Sequence, residues 1–137
     1  IITIKGLGAV ITAGILAEIV VILRFEEHRH LAQYMGLTWR KSSSAGFVSQ
    51  NTRMTKVGNV YLRYYFIQGA NLLRQHNLEY KAYYWRKYQE VSKYQHKRSL
   101  VLTARKLVRL VHALLTKNVP YVRPRMTDPG QEDDGLQ

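Results

Sequence analysis

Hydrophobic positions change their spacing along this chain. Apolar residues crowd Ala9 to Leu23, lose any period between Leu37 and Thr55, and recur at helical spacing afterwards. The first run reads as a core helix opened by Gly6-Leu7-Gly8, and Glu26 to Tyr34 as a short second helix stopped at Gly36. After Gly58-Asn59, with Asn59 as N-cap, Leu62, Phe66, Gly69 and Leu73 share one helical face, and Arg63 and Arg74 another. A tyrosine-rich helix is expected from about Asn77 to Tyr88, with Tyr80, Tyr84 and Tyr88 four residues apart. The clearest helix spans roughly Lys97 to Thr116. Leu100, Ala104, Leu107, Val111 and Leu114 form its apolar stripe; Arg98, Arg105, Arg109 and His112 form a basic one. Pro120 and Pro124 end regular structure. No strand and no internal repeat stands out. The expected class is therefore all-α. A unit over 1–36 precedes a Ser/Arg loop over 37–58 and a helical bundle over 59–123 of the same domain; residues 124–137 are a disordered acidic tail.

Charge changes the picture most. The 137 residues hold 21 Lys and Arg against nine Asp and Glu, a formal +12. Four of the acids (Asp128, Glu132, Asp133 and Asp134) stand near the C-terminus, so the body sets 21 basic residues against five acidic ones, a surplus of +16. No carboxylate occurs between Glu27 and Glu79, while Arg29, Arg40, Lys41, Arg53, Lys56, Arg63 and Arg74 all do. So lopsided a charge repels itself unless a polyanion neutralises it, and nucleic acid is the usual partner. An anionic membrane surface or a merely solvated basic exterior are the alternatives. Ala9 to Leu23 falls short of the about 20 residues a membrane-spanning helix needs, and it carries Glu18. No cysteine is present, which removes disulfides and thiolate metal sites. The five histidines show no zinc spacing. The sequence opens on Ile1, and a piece of a longer protein is expected.

Three stretches are candidates for chemistry. Ile4-Lys5-Gly6-Leu7-Gly8-Ala9-Val10-Ile11-Thr12-Ala13 has the pattern of the hairpin in helix-hairpin-helix DNA-binding modules. Gly6 and Gly8 would let backbone N–H groups approach a phosphate at a helix start; plain helix packing is the other reading. In the loop, Ser42-Ser43-Ser44 lies between Arg40-Lys41 and Arg53, Lys56 and Arg63. A serine hydroxyl needs activation, and a ring of guanidinium groups can stabilise the charge that develops in attack on a phosphate. Composition alone favours a solvated serine-rich linker. Gly58-Asn59 ahead of Arg63 is either a phosphate cradle or an ordinary helix cap.

Taken in order, several blocks resemble one family. They are Gly6-Leu7-Gly8, Leu16-Ala17-Glu18-Ile19, Arg24-Phe25, Tyr34-Met35-Gly36-Leu37-Thr38-Trp39, Ser44 with Gly46, and Thr52-Arg53-Met54-Thr55-Lys56-Val57-Gly58-Asn59 running to Tyr61-Leu62-Arg63-Tyr64-Tyr65. Glu79-Tyr80 and His96-Lys97-Arg98-Ser99-Leu100-Val101-Leu102-Thr103-Ala104-Arg105-Lys106 belong with them. The chain is similar over about residues 2 to 123 to insertion-sequence family one-hundred-ten, the DEDD or serine transposases of bacteria and archaea.

That resemblance implies a C-terminal domain that supplies a serine nucleophile, forming a phosphoserine link to DNA. It implies a preceding RNase-H-like DEDD domain that binds magnesium, a structured guide RNA, an assembled homo-oligomer and a cytoplasmic, nucleoid-associated setting; no cofactor is implied in this domain. The family's serine directly precedes glycine, whereas Ala45 separates Ser44 from Gly46 here. Counting from Trp39 places the nucleophile on Ser44; counting back from Arg53 can also reach Ala45. Ser44, Arg53 and Arg63 are the candidate catalytic residues. Gly6, Gly8, Arg40, Lys41, Lys56, Gly58, Asn59, His96, Lys97, Arg98 and Arg105 are the candidate DNA and RNA contacts. A non-catalytic helix-hairpin-helix binding module is the alternative, and it would not need Ser44.

Overall fold

The computed structural model describes residues 4–38 and 58–122, together with the backbone of 43–44 and 47–48. Five α-helices dominate: α1 (Ala9–Ile19), α2 (His28–Tyr34), α3 (Val60–His76), α4 (Leu78–Gln89) and α5 (Gln95–Lys117). A 3₁₀ turn, Ile22–Arg24, links α1 to α2. β1 (Ser43–Ser44) and β2 (Phe47–Val48) form a minimal antiparallel hairpin, with Ser43 opposite Val48 and Ser44 opposite Phe47. The class is all-α, as the periodicity predicts, with this hairpin as its one extended feature among the described residues.

α5 is the backbone of the packing. It lies against α4, α3, α2 and the 3₁₀ turn, while α3 also packs on α1 and α4. Ala104, Leu107 and Val111 of the expected stripe are fully buried, as are Leu62, Phe66 and Leu73 of α3 and Leu31 of α2. Burying a side chain such as Leu or Phe contributes about 1.5–3 kcal/mol, so this seam holds the bundle.

Element ends follow from local chemistry. The Asn59 side chain accepts from Leu62 N–H at 2.9 Å, the cap expected from sequence. Asn77 closes one helix and opens the next: its N–H reaches Leu73 O at 2.8 Å, and its Oδ1 accepts from Glu79 and Tyr80 N–H. Asn118, at φ 53, ends α5 in the left-handed region that asparagine tolerates.

One boundary differs from the sequence reading. The first helix stops at Ile19 instead of running to Leu23, and Val20 turns the chain at φ 63. The β-branched run Ile19-Val20-Val21-Ile22 is a poor helix former, and Arg24 donates to Ile19 O at 3.1 Å. The turn lets Phe25 into the core. α2 begins at His28, two residues later than expected, because Glu27 and His30 form a reciprocal capping box.

Candidate nucleic-acid interface

The two glycines of the N-terminal turn have different roles. Gly6 adopts φ +97, and a Cβ there would meet His76 Cβ at 3.1 Å, so its small size serves packing on the end of α3. Gly8 is the exposed N-cap of α1; it has no neighbour within 4 Å of a built Cβ and makes no side-chain cap bond. Its open backbone suits approach by a phosphate. No helix precedes Gly6 among the described residues, so only the turn of the expected helix-hairpin-helix pattern is seen.

The described residues on either side of the Ser44 segment are both fixed to the body. Leu37, at its start, is fully buried. At its return, Asn59 N–H donates to Tyr34 O at 2.8 Å. Gly58 sits at φ +121, where a Cβ would run into the same carbonyl oxygen, so any other residue would push the chain off this root. The Asn59 amide also donates to Glu18 Oε2 at 2.8 Å, tying α1 to the junction. With its oxygen capping α3, the Asn59 side chain is engaged at both ends. These contacts favour the helix-cap reading of Gly58-Asn59 over a phosphate cradle. Arg63 stands at the same root and makes a long bond, 3.5 Å, to Met35 O. A guanidinium carries five donors, so this contact occupies little of it.

The basic side chains of α5 fall into two groups. Near its start, His96 Nδ1 lies 2.6 Å from the Tyr84 hydroxyl. Arg98 donates to Lys87 O at 3.0 Å and to Glu90 at 3.1 Å, closing the end of α4. Lys106 pairs with Glu79 at 3.1 Å. Lys97 is exposed. Two turns beyond Arg98, Arg105 and Arg109 come beside His28 of α2 and His112. Burial, then the charges of Arg109, His112 and Arg105, hold the His28 imidazole below the usual histidine range, with Glu27 opposing them. Burial and then Arg109 push the Arg105 guanidinium down as well. His112 Nε2 contacts Phe25 O at 2.8 Å, which fixes its ring. Mutual repulsion of this kind marks a surface ready to accept an anion.

Sequence reading placed Arg105 among the contacts but not His28 or Arg109. No local signal could have joined them, because His28 and His112 lie on separate helices brought together only by the fold. Arg40, Lys41, Arg53, Lys56 and the side chain of Ser44 lie outside the described residues; the backbone places Ser44 last in β1, opposite Phe47. The acidic tail also lies outside them. Among the described residues no three His, Asp or Glu side chains group so that they could hold a metal ion. No described helix is long and apolar enough to cross a membrane.

Comparison with known proteins gives one assignment. The family model described as Transposase IS116/IS110/IS902 family matches residues 1–85. No curated protein matches the chain.

Proposed function

Because the chain belongs to the IS116/IS110/IS902 transposase family, we propose that it is the C-terminal DNA-handling domain of a bacterial transposase and that Ser44 attacks the DNA backbone. The family match carries this proposal, and the loop root supports it with a geometry. The described residues that flank the segment containing Ser44 and Arg53 are fixed on both sides beside Arg63, through Leu37 and through Asn59.

The chemistry balances without an external energy source. Ser44 Oγ attacks phosphorus as its proton leaves; the P–O bond to one strand breaks, and that strand departs as a free hydroxyl. The phosphoserine ester keeps one phosphodiester-like bond. A hydroxyl of the incoming strand then attacks phosphorus, restoring the serine and joining the strands. Arg53 and Arg63 stabilise the charge on the equatorial oxygens, a role in which a single donor is worth about 3 kcal/mol. Arg40, Lys41 and Lys56 hold the flanking backbone, and Gly8, Lys97, Arg105 and Arg109 extend the contact across the body. A preceding DEDD domain, a structured guide RNA and a homo-oligomer complete the proposed machine, in the bacterial cytoplasm at the nucleoid.

In the full-length protein with its guide RNA, Ser44→Ala should abolish the covalent protein–DNA adduct and leave DNA binding nearly intact. Ser42→Ala and Ser43→Ala should retain the adduct. An adduct that survives Ser44→Ala contradicts Ser44 as the nucleophile, whereas no adduct from the unsubstituted protein favours the non-catalytic binding module.

A further inference from the structure

Helix α4 and the turn after it carry a surface that strand cleavage does not use. Between Lys81 and Tyr94 the chain holds Lys81, Arg86, Lys87 and Lys93 against Glu90 alone. The same stretch holds Tyr83, Tyr84, Trp85, Tyr88 and Tyr94. Tyr84 is buried and acts as the hub: the Arg74 guanidinium lies 5.0 Å from its ring centroid, and Trp85 meets it edge-on at 5.2 Å. Trp85 also contacts Tyr88 at 5.1 Å, with ring planes 60° apart. Two ring contacts therefore fix the indole while 45% of Trp85 stays open to solvent. Tyr94, at the adjoining corner, is 80% exposed. Lys81 lies one turn before Trp85 on the same helical face, and Arg86 follows it, 5.3 Å from the Tyr83 ring centroid.

A half-exposed tryptophan costs free energy in water unless something covers it. A protein partner would be expected to meet few lysines, because protein interfaces are depleted in them. A lysine-rich rim around rigid aromatic rings instead matches single-stranded nucleic acid, whose bases stack on the rings while cations track the phosphates. Bases inside a duplex present no open face to such a ring.

We propose that Trp85 and Tyr88 form a stacking platform for unpaired nucleotides, with Lys81 and Arg86 holding the flanking phosphates. This rests on the domain being a nucleic-acid binder and adds a second mode to it, separate from the duplex-facing cations of α5. The platform takes any base, since every base has a π face; RNA and DNA single strands share that chemistry.

The test uses this chain with Trp39→Phe, so that Trp85 alone fluoresces, titrated with oligouridylate, oligothymidylate and a duplex of equal length. The single strands should quench Trp85 strongly and the duplex weakly; preference between the two single strands identifies whether RNA or DNA is the occupant. Trp85→Ala should weaken single-strand affinity about tenfold or more and leave duplex affinity within about twofold. Trp85→Leu, which keeps apolar bulk without the π face, should behave like Trp85→Ala, and circular dichroism shows whether each variant is folded. Folded Trp85→Leu with unchanged single-strand affinity overturns the platform. A change in self-association in place of nucleic-acid affinity also overturns it, and makes the patch a protein-docking surface. If neither duplex nor single strand binds the unsubstituted chain, the nucleic-acid reading itself fails, whereas duplex binding without single-strand binding sinks the platform alone.

Discussion

Two groups of cations on α5 look alike in sequence and differ in their surroundings. Arg98 and Lys106 are spent within the fold, on Lys87 O and Glu90 and on Glu79 respectively. Arg105 and Arg109 face His28 and His112, and burial, then the neighbouring charges, hold His28 and Arg105 below their usual ranges. Arg98 closes the α4–α5 corner and Lys106 ties the middle of α5 to the start of α4; the second group concentrates positive potential where a polyanion would relieve it. A basic motif therefore says little about binding until the carboxylates and carbonyls around each side chain are known. His96-Lys97-Arg98, prominent in the family-like pattern, contains two residues engaged in structure, while Arg109, beside His28, carries a charge that the motif does not mark.

That contrast sets the order of expected effects. Arg63 occupies the ground between the groups, since its bond to Met35 O, the one it makes among the described residues, is long. In the assembled full-length protein, Arg63→Ala should lower strand transfer about a hundredfold, with a far smaller loss of DNA affinity. If binding and activity fall in parallel, Arg63 is an ordinary backbone clamp. Next comes the outward group: Arg105→Glu with Arg109→Glu should weaken duplex binding by roughly tenfold to a hundredfold and reduce the slope of log affinity against log salt by about two. Arg98→Ala, by contrast, should keep duplex affinity within about threefold and lower the melting temperature, by about 1 kcal/mol of stability. Titration at three salt concentrations, with thermal melts of the same samples, separates the two groups. An Arg98 variant that loses binding without losing stability would erase the distinction.

The loop root belongs with the structural group. Asn59→Ala removes the α3 cap and the bond to Glu18, and should cost about 1–2 kcal/mol. Calorimetric melting would read this as a drop of several degrees. No drop would mean that the root is not held by these bonds.

The smallest effect is with pH. His28 has a folded pKa below its usual value of 6.5, so the unfolded chain binds its proton more readily. Stability is then fully present above pH 6.5 and is lost as pH falls through the window below it. A bound polyanion reverses the bias by favouring the charged imidazole. Duplex affinity should therefore rise a few-fold between pH 7.5 and 6, and His28→Ala should flatten that rise. An unchanged slope in the variant would remove His28 from the interface.

Much of the fold was legible because it is written in local periodicity. The α3 cap at Asn59, the stop at Gly36 and the buried stripe of α5 all follow from side chains within a turn or two. The end of α1 was not legible in that way, since it depends on Arg24 folding back over Ile19 O and on Phe25 finding the core. The β1–β2 hairpin was hidden for another reason: Ser43-Ser44 and Phe47-Val48 are too short to show alternation. At the candidate interface, Arg63 and Arg105 were marked by their neighbours in sequence. His28, whose imidazole feels the charges of Arg109 and Arg105, comes from a helix nearly 80 residues away. Only packing brings them together.

The central claim is that one particular hydroxyl becomes bonded to DNA. Covalent complexes formed by the full-length protein, guide RNA and donor DNA can be digested with nuclease and protease, and the residual phosphate located by mass spectrometry. Phosphate on Ser44 is the predicted result. Phosphate on Ser42, on Ser43 or on any other residue would contradict the assignment of the nucleophile.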